Sequence, residues 1–175
     1  MKIFLVSLLL SLMTPLALVG GPSGLQSPAK IREIVLEGKG GFNLNPLKFY
    51  GAEFKVSFHP DGRALYAGSR DVKLIGSYQG TISDDEFQKL VKALVDRDYL
   101  SIPEDAMQTS QTPTSGKDGP KPRTVITITY EDGQKTIWHY TDLSPPEREK
   151  IPKAVFEIEQ AILDASARIK WREVE

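Results

Sequence analysis

The chain has 175 residues, with 22 Lys plus Arg against 23 Asp plus Glu, two histidines and no cysteine. So even a charge balance offers no electrostatic case for nucleic acid or an anionic membrane surface as partner. The missing thiols exclude a disulfide framework, thiolate metal sites, a cysteine nucleophile and a lipidated-cysteine anchor, leaving packing as the source of stability.

Lys2 precedes an apolar run from Ile3 to Met13, and Pro15, Gly20, Gly21, Ser23 and Gly24 follow it. This is the charge, apolar stretch and small-residue exit of a secretory signal peptide. Ser7, Ser11, Thr14 and Pro15 break the run, whereas a spanning helix wants about 20 predominantly apolar residues, so cleavage is expected and no stable membrane span after it. Residues 1–23 are read as the leader and 24–30 as a flexible lead-in. The protein is expected in the periplasm or secreted; a thiol-free exported domain with no Asn-x-Ser/Thr sequon fits a bacterial envelope. About 150 residues remain for one domain, 31–175.

Ile31 to Glu37 reads as a first strand, broken at Gly38-Lys39-Gly40-Gly41. Phe54, Val56 and Phe58 alternate with Lys55, Ser57 and His59, and His59-Pro60-Asp61-Gly62 turns the chain. Short strands through Ala64 to Ala67 and Val72 to Tyr78 complete an antiparallel meander. Ser83-Asp84-Asp85-Glu86 is a capping box, with Ile82 and Phe87 as its hydrophobic staple. Phe87, Leu90, Val91, Leu94 and Val95 then recur at helical spacing. Tyr99, Leu100 and Ile102 continue apolar until Pro103 stops the segment. Residues 104–122 form a long polar, proline-rich loop from which no core is expected. Thr124 to Tyr130, a turn at Glu131 to Gln134, and Lys135 to Thr141 make a hairpin. Ser144-Pro145-Pro146-Glu147 starts another helix, with a break expected at Pro152. Ile151, Val155, Ile158, Ile162, Ala165 and Ile169 mark the buried face of a long final helix. The fold class is α+β: an antiparallel meander plus hairpin with two helices packed on one face.

No catalytic, cofactor-binding or metal-ligating set is assigned, and no cofactor is expected. His59 and His139 both fall on strands; with a carboxylate they offer three zinc ligands, but the usual local ligand spacing is missing. The competing reading has His59 ending a strand and His139 paired on the sheet surface. Gly76-Ser77-Tyr78-Gln79-Gly80 puts tyrosine where G-x-S-x-G needs its nucleophile, and Ser27-Pro28-Ala29-Lys30 sets S-x-x-K in a linker. No capped helix follows Gly38-Lys39-Gly40-Gly41 to cradle a phosphate. Asp84-Asp85-Glu86 are explained by the helix dipole. Phe49, Tyr50, Phe54, Phe58 and Tyr66 are read as sheet core rather than a stacking platform. Lys117, Lys121 and Arg123 in the long loop offer charge to an acidic partner, against the plainer reading that they are solvated side chains of a flexible loop.

Gly51, Phe54 to Phe58, Asp61-Gly62, Tyr66-Ala67-Gly68 and Gly76, followed by the Ser83 helix, resemble an uncharacterised bacterial domain-of-unknown-function family. Its members run G-x-C-P-x-[YF], an alternating strand, D-G, Y-x-G, a strand ending in glycine, then a helix. The hairpin from Thr124 and the last helix fit its second half. Ala52 and Glu53 stand where that family carries Cys-Pro, so any role of that cysteine is absent. The resemblance implies the fold and export, and no activity. The expected role is a non-enzymatic binding or interaction module with a protein partner in the envelope or outside the cell. The alternatives are a metal-dependent or hydrolytic enzyme using His59 and His139, or an assembly module pairing through a sheet edge such as the strand at Ile31.

Overall fold

The computed structural model describes residues 31–44, 47–106 and 121–174, without the side chains of 41–50. The leader, the lead-in with Ser27 and Lys30, Lys117, and the rings of Phe49 and Tyr50 lie outside the described residues.

Strands β1 (Ile31–Lys39), β4 (Glu53–Phe58), β5 (Arg63–Arg70), β6 (Gly76–Thr81), β7 (Arg123–Tyr130), β8 (Gly133–Tyr140) and β9 (Arg172–Glu173) form one sheet in the order β8-β7-β1-β4-β5-β6-β9. Every neighbouring pair is antiparallel, and β2 (Gly41–Leu44) pairs with β3 (Leu47–Tyr50) as a separate hairpin. The two four-residue runs of that hairpin carry too few periods to register as strands in sequence. β1 does not stop at Gly38, because Gly38 pairs with both Phe54 and Thr124 and the ladder carries the strand on. Nor is β1 an edge: it lies inside the sheet between β7 and β4, which removes the strand at Ile31 as an assembly surface.

Helix α1 (Asp84–Asp96), the short α2 (Pro145–Arg148) and α3 (Lys153–Arg168) follow from local chemistry. The Ser83 hydroxyl accepts the Glu86 amide at 3.2 Å, satisfying a donor that the first turn leaves free. In α2 the Glu147 carboxylate reaches back to accept the Ser144 amide at 2.9 Å. That hydrogen bonding, chiefly from Ser144, holds the Glu147 carboxyl below its ordinary range. The chain breaks at Pro152, which lacks the amide proton a continuing helix needs and sits at the N-cap of α3.

Register assigns the two faces. Ile126, Ile128, Ile34, Leu36, Val56, Phe58, Ala64 and Ile137 point to one side and join Phe87, Leu90, Val91 and Leu94 of α1 with Val155, Ile158, Ile162 and Ala165 of α3 in one core. The opposite face carries Glu37, Lys55, Ser57, Leu65, Gln79 and their neighbours; there Glu37 bridges Lys39 at 2.9 Å and Lys55 at 3.4 Å. No described helix is long and apolar enough to cross a membrane.

The 104–122 segment is tied down at both described ends, against the expectation that none of it joins the core. Glu104 and Ala106 pair with Trp138 of β8 through backbone bonds of 2.9 and 3.2 Å, Ala106 is buried in the core, and the Pro122 carbonyl accepts the Thr141 amide. Edge pairing uses main-chain groups, which side-chain polarity does not report.

Tyr99, in a 3-10 turn after α1, is fully buried, and its hydroxyl meets the carbonyls of Ile126 at 3.0 Å and Lys135 at 2.9 Å. Burial pushes this phenol far above its ordinary range, so it acts as a donor throughout. Tyr99→Phe is expected to cost about 1–2 kcal/mol, the price of leaving buried carbonyls short of a donor, measured as a lower urea midpoint with unchanged slope.

Candidate functional site

Strand β8 ends beside α2 and α3, and the three enclose a cleft of about 250 Å³. Its lining includes His139 from β8, Leu143 from the connection, Arg148 from α2, and Phe156, Glu159 and Gln160 from α3. Period-two alternation places His139 on the helix-covered face with Ile137, opposite Thr124 in register. The 3.6-residue period of α3 places Phe156 and Glu159 on the flank of its buried stripe, so both meet the ring.

The imidazole is almost wholly buried, its side chain 5% exposed against 22% for Glu159. Nε2 stands 3.1 Å from Glu159 Oε2, and Nδ1 2.9 Å from the Tyr140 carbonyl oxygen. Thr124 Oγ1 donates to the other oxygen of Glu159 at 3.5 Å. A carbonyl only accepts, so the Tyr140 contact has Nδ1 as its donor, and Nε2 faces the Glu159 carboxyl. Phe156 meets the imidazole edge to face at 5.3 Å, and the Arg148 guanidinium stacks over the same phenyl ring at 5.0 Å. Lys121 lies 5.9 Å from the Tyr140 ring centroid, and its charge also reaches Glu147 in α2.

Both nitrogens of His139 and both oxygens of Glu159 are therefore engaged within the protein. The cleft is faced by the Phe156 ring, the amide of Gln160, the Arg148 cation and the part of Glu159 left in solvent.

His59 is elsewhere. It lies on the opposite face of the sheet, 3.6 Å from Glu33 and 3.4 Å from Ser57, where its backbone closes the turn to Arg63. The sheet separates the two histidines, so the paired site considered from sequence does not assemble. Nor is His139 paired on the sheet surface: its partner comes from α3. Among the described residues no group of three or more His, Asp or Glu is placed to hold a metal ion.

The remaining motifs are architectural. Ser77 sits in the regular ladder of β6, with no strand-to-helix elbow. Asp85 and Glu86 pair with Lys89 at 2.6 and 3.2 Å in the first turn of α1. Phe58 is core, while Phe54 and Tyr66 pack at its border. Asp61-Gly62 is a turn in which the Asp61 carboxylate accepts the Arg63 amide and Gly62 takes φ +86°. In Tyr66-Ala67-Gly68, the Tyr66 hydroxyl donates to the Leu74 carbonyl at 3.3 Å, and that carbonyl lies 2.2 Å from where a Gly68 Cβ would stand. The residues that carry the family resemblance thus serve the backbone. Glu159, which they leave out, carried no local signal: it is one acid at the border of an amphipathic helix, twenty residues after its partner.

An antiparallel sheet backed by two helices, with a cleft where the last strand meets the last helix, defines an α+β domain without a known reaction. The chain belongs to the family described as a domain of unknown function, DUF6438, which matches residues 51–165. That span starts just before β4 and takes in every residue named in the cleft. No curated protein matches the sequence.

Proposed function

We propose that this chain is exported to the bacterial envelope and works there as a non-enzymatic binding module, taking an acidic segment of a protein partner into the β8–α2–α3 cleft. The observation that carries the reading is the internally bonded His139–Glu159 pair: its hydrogen bonds to Tyr140 and Thr124 fix the wall of a cleft, while Arg148 offers a cation to a ligand there. Phe156 supplies apolar area under that cation, and Lys121 adds a second positive charge beside Tyr140. A cation above an aromatic floor suits a carboxylate carried on an apolar stem. Export rests on the leader, and the replaced Cys-Pro of the family pattern removes a thiol from any account of the role.

Two measurements test it. N-terminal sequencing of protein from a periplasmic or culture fraction is expected to start near residue 24; intact precursor in the cytosol refutes export. Titration with short acidic peptides, followed by NMR, is expected to shift the His139 ring and Phe156 resonances, with Arg148→Glu abolishing the response. Shifts of equal size in Arg148→Glu, or none in the unmodified protein with any acidic peptide, refute the cleft as the site.

A further inference from the structure

The balanced net charge hides a local imbalance at the other end of the sheet. Gln79 of β6 pairs with Arg172 of β9 and with Leu65 of β5, and Thr81 pairs with Arg63. Trp171 turns to the helix side, packing on Tyr66 at a centroid distance of 5.6 Å, with its indole donating to the Ser166 carbonyl. In an extended segment, neighbours of a residue that faces one side face the other. Lys170 and Arg172 therefore emerge together on the open face beside Thr81 and Gln79. With Arg63 they line a depression of about 400 Å³ that has no carboxylate in its lining. Asp61 holds Arg63 at 2.7 Å from outside that lining, whereas Lys170 and Arg172 make no ion pair among the described residues.

The position of these cations is built. A Cβ on Gly80 would stand 2.3 Å from Ile169 Cγ2 and 3.3 Å from the Lys170 carbonyl, so the bare glycine is what lets the C-terminal segment lie against β6. Trp171 then pins it. Two guanidinium forks, one ammonium and the neutral polar side chains of Gln79 and Thr81 converge on a space large enough for a phosphoester group and its substituent. Guanidinium matches tetrahedral oxyanions bidentately, and an ammonium adds a compact point charge.

We propose that the depression lined by Arg63, Gln79, Thr81, Lys170 and Arg172 is a binding site for a phosphate-bearing ligand of two or more negative charges. The site is independent of the cleft at His139. Its ligand is a free phosphoester or the phosphate headgroup of an anionic lipid, and the two differ in how they are met.

The test uses the full chain, inorganic pyrophosphate in calorimetry, and flotation with phosphatidylglycerol or phosphatidylcholine vesicles. Lys170→Gln/Arg172→Gln is compared with the control Arg32→Gln/Lys73→Gln, which removes as much charge elsewhere, and with Arg172→Gln alone. All four positions are exposed, and circular dichroism checks that each variant folds. The expected result is pyrophosphate binding that weakens with salt and falls about tenfold or more in the Lys170/Arg172 variant. The single variant is expected to fall in the same direction and the control to stay near wild type. Preference for phosphatidylglycerol over phosphatidylcholine, lost in the same variant, identifies the headgroup as source; the leader, common to all, cancels in that comparison. Binding of neither probe, or equal losses in site and control variants, overturns the proposal.

Discussion

Glu159→Ala is expected to lower unfolding stability by about 2–3 kcal/mol, because it leaves Nε2 of the buried His139 ring without its hydrogen-bond partner. Removing one member of a buried ion pair generally costs more, but Glu159 keeps 22% of its side chain in solvent, so water recovers part of the loss. Thr124 loses its acceptor in the same step. In a domain of this size the fall corresponds to roughly 5–10 °C in melting temperature. The double replacement His139→Phe/Glu159→Leu is expected to recover most of it, since the pair already sits against Phe156 and well-packed apolar groups offset the lost hydrogen bonds. If Glu159→Ala melts with the wild type, the pair is not what fixes β8 to α3. If the double variant stays as unstable as the single one, the pair contributes more than mutual compensation.

The second large effect is expected at Gly68→Ala, with a cost of about 2–4 kcal/mol. The position lies in a regular strand with an ordinary φ, so the strain is steric. The added methyl would meet the Leu74 carbonyl at 2.2 Å, the Tyr66 hydroxyl at 2.8 Å and Val72 Cγ2 at 2.8 Å. Two of the three neighbours cannot simply swing away: one is backbone, and the other is the phenol that donates to it. The loop between β5 and β6 must then lift, taking with it the hydrogen bond that closes it over the sheet. Denaturant unfolding of Gly68→Ala beside Ala67→Gly, which changes the exposed neighbour, separates this collision from a general loss of strand propensity. Equal costs at the two positions refute it.

Among the described residues, both outer strands of the long sheet are covered over part of their length. The backbone of Glu104 and Ala106 blocks β8 at Trp138, and the two residues of β9 cover the middle of β6. Short covering segments of this kind suppress strand-to-strand association. The recognition surfaces argued above accordingly lie at the two ends of the molecule, one between helices and one on the open sheet face.

The elements whose partners are near in sequence were legible from the residues alone. The alternation at Phe54, Val56 and Phe58, the Ser83 cap with its staple, the hairpin from Thr124 and the stop at Pro152 each report the period of one element or the chemistry of its end, and these act over a few residues. Such patterns were enough for the fold class and for two helices on one face. They were silent about sheet order, which is why the strand at Ile31 could be taken for an edge when β7, nearly a hundred residues later, pairs along its outer side. They were silent too about His139. A histidine on a strand looks the same whether its side chain meets water or a carboxylate, and the helix that brings Glu159 to it is positioned by the packing of Val155, Ile158 and Ile162 against the sheet. The cationic depression has the same origin, since Arg63, Lys170 and Arg172 are brought together by a tryptophan and a glycine that belong to different elements. Local periodicity selects what each segment becomes; which side chains share a site depends on how the buried faces dock, and that is a property of the whole chain.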